Sequence, residues 1–199
     1  MRVKRAAALL GAAILLGVAI LLGGTMLAAC ASQSDRFYTL SPMPDSPPAP
    51  RAAFTTQFVL SISVPAVVDR RSMVLDTPGN QVTILEHERW AAPISDLIAQ
   101  TLAGDIERRR PDVMVAGRGF GSAPVKIRID IVELSARAPG NATLEAHWRI
   151  ADAESKTDVV GSEVFTAPVA SADYAAVARA FSLAVSSLAD RLAEKLPAR

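Results

Sequence analysis

Residues 56–65, TQFVLSISVP, carry Phe58, Leu60, Ile62 and Val64 at every second position before Pro65 interrupts. That is the period of a strand with one buried face, and it predicts a strand here. SMVLDTPGNQVTIL (72–85) reads as two short strands about a turn at Thr77-Pro78-Gly79-Asn80. The period then lengthens. In APISDLIAQTLAGDIERRR (92–110), Ile94, Leu97, Ile98, Thr101, Leu102 and Ile106 fall on one helical stripe. Pro93 suits the first turn, where its missing N–H costs nothing, and Pro111 closes the helix behind Arg108, Arg109 and Arg110.

Strand periods return downstream. DVMVA (112–116) predicts a strand and GRGFGSAP (117–124) a loop. VKIRIDIVEL (125–134) alternates Val125, Ile127, Ile129 and Ile131 against Lys126, Arg128 and Asp130. ATLEAHWRIAD (142–152) does the same with Leu144, Ala146, Trp148 and Ile150, after a turn at PGN (139–141), and VVGSEVFTAPV (159–169) supplies a third strand. Such one-sided alternation predicts antiparallel pairing with one face covered. The last element, 172–196, places Tyr174, Val177, Ala178, Phe181, Val185, Leu188, Leu192 and Leu196 on one helical stripe, with Ser171 as its expected cap. The resulting fold class is α+β: a mostly antiparallel sheet with two helices on one face.

The start of the chain follows a different rule. Three cations in MRVKR precede 24 uncharged residues, 6–29, and then Cys30, the sole cysteine. A basic stretch followed by an apolar run is the layout of a secretory signal, and it stands outside the fold. The run is also long enough to span a bilayer, for which about 20 residues suffice. Leu27-Ala28-Ala29-Cys30 favours the first reading, because a branched apolar residue, two small residues and Cys form a bacterial lipobox. Small side chains let the peptidase hold an extended backbone, and the thiol takes a diacylglyceryl group through a thioether. One acyl chain holds only marginally, whereas two or three anchor firmly. Ala31, where an Asp would favour retention at the inner membrane, points to the inner leaflet of the outer membrane facing the periplasm, with the inner membrane as the other location.

Three regions result: a signal peptide at 1–29; a lipidated Cys30 with a brief FYTL strand (37–40) and a proline-rich linker at 30–55; and one domain at 56–199. The linker has five prolines in residues 41–50, which favours extended chain. If FYTL joins the sheet, the domain lies close to the membrane; if it does not, the tether runs to about residue 53.

Charge narrows the function. Without Arg2, Lys4 and Arg5, 18 of the 21 cations remain against 20 acidic residues, a net charge of −2. That gives nucleic acid no basic field to bind. A single cysteine excludes internal disulfides and thiolate metal sites. His87 and His147 have no partner at metal-ligand spacing, no Gly-x-Ser-x-Gly occurs, and Gly117-Arg118-Gly119-Phe120-Gly121 is not a dinucleotide fingerprint. The chain is not expected to be an enzyme, or to carry a metal or a cofactor.

Four pieces occur in one order: the lipobox Cys30, FYTLSP (37–42), SVPAVVDRRSMVL (63–75) and ERWAAPISDLIAQTL (88–102). Together they resemble the auxiliary lipoprotein component of ABC-type transporters, the family of paraquat-inducible protein C. The positions that carry the resemblance are Tyr38, Thr39, Leu40, Val64, Pro65, Asp69, Arg70, Arg89, Trp90 and Pro93. The chain departs from the family in having Ala66-Val67 where an aromatic often follows Val-Pro. The resemblance implies an accessory subunit of an MCE-type transport system for lipid trafficking and membrane integrity. Its partners would be an MCE-domain substrate-binding protein and, through it, an inner-membrane permease and ATPase. A ring-forming partner favours a matching homo-oligomer. The other reading is a free-standing structural outer-membrane lipoprotein.

Candidate docking residues are Asp69, Arg70 and Arg71 in the expected loop, together with Arg89. Tyr38, Leu40, Pro65, Trp90 and Pro93 are expected to be structural, with Trp90 in the core and Arg89 bonding nearby carbonyls. Arg108, Arg109 and Arg110 are expected to form a solvated helix end favoured by the helix dipole.

Overall fold

The strand-forming residues of the C-terminal two-thirds make a five-stranded sheet in a computed structural model that describes residues 33–42, 56–116 and 123–197. The expected signal segment with Leu27, Ala28, Ala29 and Cys30, most of the expected linker, and residues 117–122 of the glycine-rich stretch lie outside the described residues. The chain divides at Ser34/Asp35, and every element of regular structure given below belongs to the unit Asp35–Arg199.

The elements are β1 (Arg36–Tyr38), β2 (Thr56–Ser63), β3 (Ser72–Thr77), β4 (Gln81–Trp90), α1 (Ile94–Arg109), β5 (Val113–Ala116), β6 (Val125–Ala136), β7 (Gly140–Asp152), β8 (Thr157–Val169) and α2 (Tyr174–Lys195). The fold is α+β, as the periodicities predict, but the strands divide into two sheets. The larger has the order β5-β2-β6-β7-β8, and the smaller β1-β4-β3. β6, β7 and β8 form the expected antiparallel meander, whereas β2 pairs in parallel with both β5 and β6, and β1 pairs in parallel with β4.

The large sheet buries one face. Phe58, Ile127, Ile129, Leu144 and Ile150 are fully buried beneath the helices. α1 packs over β2 and β5, α2 packs over β7 and β8, and the helices meet each other. Burial of each such side chain contributes about 1.5–3 kcal/mol. In β6 a register shift between Ile131 and Glu133 moves the buried set from odd to even positions. Leu134 and Ala136 therefore return to the core, and Val132 stays exposed.

Close packing also selects small residues. An ideal Cβ on Gly161 of β8 would fall inside the indole ring of Trp148 on β7, its directly paired residue. In α2 the small residues Ala178, Ser182, Ser186 and Ala189 are buried.

Three local expectations are corrected. Pro93 is the N-cap of α1, one residue outside its first turn. Ser171 does not cap α2: Asp173 does, accepting from the Ala175 N–H, while the Ser171 hydroxyl accepts from the Asp173 N–H at 3.3 Å. β4 is much longer than a short hairpin arm and runs through Trp90.

FYTL joins the fold. β1 pairs Arg36 with Glu88, Phe37 with Arg89 and Tyr38 with Trp90, and Leu40 is buried in the main core. Ser41 then donates its N–H to the Ser182 hydroxyl of α2 at 3.1 Å.

Candidate functional site

Of the residues that carry the family resemblance, Tyr38, Arg89 and Trp90 lie in the small sheet, Val64, Pro65, Asp69 and Arg70 in the segment that leads from β2 to β3, Leu40 in the main core and Pro93 at the start of α1. Tyr38 and Trp90 are paired neighbours. Trp90 is buried, with its ring 6.1 Å from that of Phe181 in α2. Its backbone N–H donates to the carbonyl of Arg71 at 2.6 Å, and the next N–H, of Ala91, donates to the Tyr38 carbonyl at 2.8 Å. β4 is thus held on both sides where it turns into α1.

Polar side chains lock the same junction. The Tyr38 hydroxyl donates to Glu88 Oε2 at 2.5 Å, and Arg36 Nε lies 3.6 Å from the other carboxylate oxygen. Glu88 is a buried charge with two partners, which is the condition under which such burial is tolerated. Burial pushes the Tyr38 phenol up, and the Glu88 carboxylate pushes it further. On the opposite face, Arg89 Nη1 donates to Asp35 Oδ2 at 2.8 Å, and His87 Nδ1 lies 3.1 Å from Asp35 Oδ1. The Arg89 guanidinium, then His87, hold the Asp35 carboxyl below its ordinary value. Phe37 stands beside this trio, 60% exposed.

The expectation that Arg89 bonds carbonyls is corrected: it bonds a carboxylate on the segment that enters the fold. No pattern local to β4 marks Tyr38 as the partner of Glu88, or Asp35 as that of Arg89, because each pairing spans about half a hundred residues of chain.

The loop between β2 and β3 has a fixed shape. The Pro65 carbonyl accepts from the N–H groups of Val68 and Asp69 at 3.0 and 3.1 Å. Asp69 accepts from the Ser95 hydroxyl of α1 at 2.9 Å, which ties the loop to the start of the helix. Arg70 and Arg71 are exposed on this loop beside the exposed Val67. Asp69, Arg70, Arg71 and Trp90 therefore share one corner, while Arg89 faces Asp35.

The arginines at the end of α1 are not a solvated end. Arg109 donates to the Ser186 hydroxyl at 2.8 Å, to the Asp105 carbonyl at 2.9 Å and to the Asp190 carboxylate. It also lies 3.6 Å from the fully buried Asp105 carboxylate. Arg110 forks onto Asp112 at 3.0 and 2.8 Å and reaches the carbonyls of Leu196 and Pro197. These groups join the two helices. The sequence signal was present in Asp105, a charge on the apolar stripe four residues before Arg109.

Among the described residues, no group of His, Cys, Asp and Glu is placed to hold a metal ion. His147 is exposed and sits 3.7 Å from Glu145. Of the clefts, one of about 410 Å³ between α1 and β2/β5 is lined mostly by apolar residues, Leu60, Ala99, Ala103, Val115 and Ala116, together with Gln100 and Glu107. No described helix is long and apolar enough to cross a membrane.

Solved structures share this fold. A crystal structure of an uncharacterized protein superposes with a TM-score of 0.69 at 14% identity, covering 83% of this chain and 100% of that one. Protein XCC0632 of Xanthomonas campestris gives 0.61 at 18% identity, covering 79% and 92%. In sequence, the intermembrane transport lipoprotein PqiC of Escherichia coli (strain K12) is 23% identical over 91 residues, 46% of this chain and 49% of that protein, and the same holds for PqiC of Shigella flexneri. The match thus spans about half the length of these curated relatives. The model of the family described as ABC-type transport auxiliary lipoprotein component matches residues 38–193, from the Tyr38 that bonds Glu88 to the last turn of α2. The chain belongs to the ABC-type transport auxiliary lipoprotein component family.

Proposed function

We propose that this protein is a lipid-anchored envelope lipoprotein that acts as accessory subunit of an MCE-type ABC transport system, serving lipid trafficking and membrane integrity. The observation that carries this reading is the family match across 38–193, in a chain whose lipobox Cys30 directly precedes it. The relatives' description as intermembrane transport lipoproteins supports a place between two membranes.

In this reading Cys30 carries the acyl chains after cleavage behind Ala29, with Leu27, Ala28 and Ala29 as the recognition sequence, and Ala31 favours the inner leaflet of the outer membrane. β1 takes up the chain at Arg36 and Asp35 is already tied to Arg89, so only residues 31–34 stand between Cys30 and the fold. At about 3.3–3.6 Å each they reach under about 20 Å. The small sheet is then the part of the protein nearest the bilayer. The MCE-domain protein, and through it the permease and ATPase, would engage Arg70 and Arg71 on the loop that Asp69 braces against Ser95. Two adjacent cations beside Val67 suit an acidic, partly apolar partner surface. Arg89 acts away from that corner, by fixing Asp35 and the entering chain.

Two measurements test this. Cys30→Ala should abolish incorporation of a fatty-acid analogue and leave the precursor uncleaved; labelling equal to wild type would refute the anchor. Arg70→Glu with Arg71→Glu should abolish crosslinking to the MCE-domain protein while the melting temperature stays unchanged. Recovery of no transport subunit by wild type would return the free-standing structural lipoprotein to first place.

A further inference from the structure

Two hairpin ends of this fold are unlike in charge. The end formed by β7 and β8 carries Asp152, Glu154, Lys156 and Asp158, as a turn in water commonly does. The end formed by β3 and β4 carries no charged residue from Thr77 to Leu85. Every residue from Pro78 to Ile84 is exposed, Val82 and Ile84 by 47% and 45%. These two share one face, opposite Asp76 and Val74 of β3. Among the described residues β1 pairs with β4 only at Glu88–Trp90, so the hairpin runs on beyond it as a ribbon of two strands. Such a ribbon is marginal in water without a covered face.

The direction in which this hairpin points can be read from the register. β1 and β4 are parallel. The chain therefore enters the sheet from the side of the hairpin turn, and Asp35, just before β1, meets His87, just before Glu88. Six steps of chain separate Arg36 from Cys30, and six separate its partner Glu88 from Val82. At about 3.3–3.6 Å per step, each stretch extends no more than about 20 Å. Cys30 can thus lie no farther from Arg36 than the level of Val82. A lipid on Cys30 brings the bilayer to the uncharged end of the hairpin, and a less extended path brings it nearer the sheet.

We infer that the end of the β3–β4 hairpin, with Val82 and Ile84, is seated in the headgroup layer of the membrane that holds Cys30. The inference rests on the lipid anchor proposed above and needs no transport partner. Charges limit the depth. Asp76, opposite Val82, lines a polar cleft with Glu133, Arg137 and Asn141, and Glu86 follows Leu85. They keep the hairpin at the interface and out of the hydrocarbon, where the apolar residues of interfacial elements also lie. Because the flanking charges Asp76 and Glu86 are acidic, the contact is apolar and does not weaken as salt is raised.

In the acylated chain Cys30 carries its lipid as a thioether, and the sequence has no other cysteine, so an introduced cysteine is the sole free thiol. Val82→Cys, Ile84→Cys and, on β8, Val160→Cys each replace an exposed residue. The full-length variants, labelled with an environment-sensitive nitrobenzoxadiazole dye, are reconstituted in vesicles of phosphatidylethanolamine and phosphatidylglycerol. At position 82, and less strongly at 84, the emission should shift to the blue, be quenched by nitroxide-bearing lipid and be shielded from iodide in the water, at low and high salt alike. At position 160 the dye should be quenched by iodide and untouched by the nitroxide lipid. Wild type that takes up the dye has an unmodified Cys30, which refutes the anchor and the inference with it. Wild type that stays dark, with position 82 as open to iodide as position 160, overturns the inference alone. So does a dye at position 82 that is shielded from iodide yet untouched by nitroxide lipid, because protein and not lipid then covers the hairpin.

Discussion

The two sheets of this protein solve the same folding problem with different means. The five-stranded sheet is held by apolar burial: β6 and β7 give one face almost wholly to the core, and the helices cover it. The three-stranded sheet has little such surface. Only its end near Trp90, Met73 and Val74 is buried, and beyond Leu85 the hairpin exposes Val82 and Ile84. Its coherence comes from named polar ties: Tyr38 to Glu88, Asp35 to Arg89 and His87, and Asp69 to Ser95. Apolar burial is non-directional and tolerates little loss of volume. Polar ties are few, directional and sensitive to pH. The large sheet should therefore respond most to changes in buried volume, and the small one to the loss of single polar ties.

Removing volume tests the first half. Ile129→Ala should cost about 2–5 kcal/mol in urea unfolding, since Ile129 is fully buried and its cavity cannot collapse freely. Ile84→Ala on the exposed hairpin should stay within about 0.5 kcal/mol. Equal losses would erase the distinction between the sheets.

Adding volume comes next. Gly161→Ala forces a methyl group into the space of the Trp148 ring and should cost about 1–3 kcal/mol. The companion Trp148→Leu should relieve part of that penalty. A double variant that is merely additive would show that the two residues are not in contact.

Removing a polar tie is smaller in extent and specific in its pH signature. Tyr38→Phe leaves Glu88 buried with Arg36 as its remaining partner and should cost about 1–2 kcal/mol. The folded phenol titrates above its ordinary value of 10.0, so the stability it supplies is complete below that value and is lost as the pH rises through the folded value. The wild-type melting temperature should fall above about pH 10, and Tyr38→Phe should lack that component. Carboxylates behave in the opposite way. Asp35, Asp112, Asp158 and Glu163 are held low by Arg89 with His87, by Arg110, by Arg149 and by Arg191. Their contributions are complete above their ordinary values and are lost as the pH falls through the lowered ones, so the acid decline belongs to both sheets and begins near about pH 4. Loss of the acid limb in Tyr38→Phe would contradict this assignment.

What could be read from the sequence obeys the same division. β6, β7 and both helices were legible because one covered face imposes a period on neighbouring residues, and Ile127, Ile129, Leu144 and Leu188 obey it. Glu163 was legible in principle, since alternation from Val159 to Phe165 puts it on the covered face. The parallel pairings of β1 with β4 and of β2 with β5 and β6 were not legible: partner choice across a crossover leaves no local period. The cap of α2 was misplaced because Ser171 and Asp173 are both good cap residues, and only the path of the chain decides between them. At the candidate site, motif order located Tyr38, Trp90, Pro65 and Asp69, and the structure pairs Tyr38 with Trp90 and Pro65 with Asp69. It could not supply Glu88, Asp35 or Ser95, whose roles exist only once distant segments meet.

The positions of the two tryptophans give each sheet its own optical label. Trp90 closes β4 against Phe181, and Trp148 lies over Gly161 in the meander. With one indole replaced by phenylalanine, the emission that remains comes from a single sheet, so the loosening of one against the other can be followed in the same cuvette without any added dye.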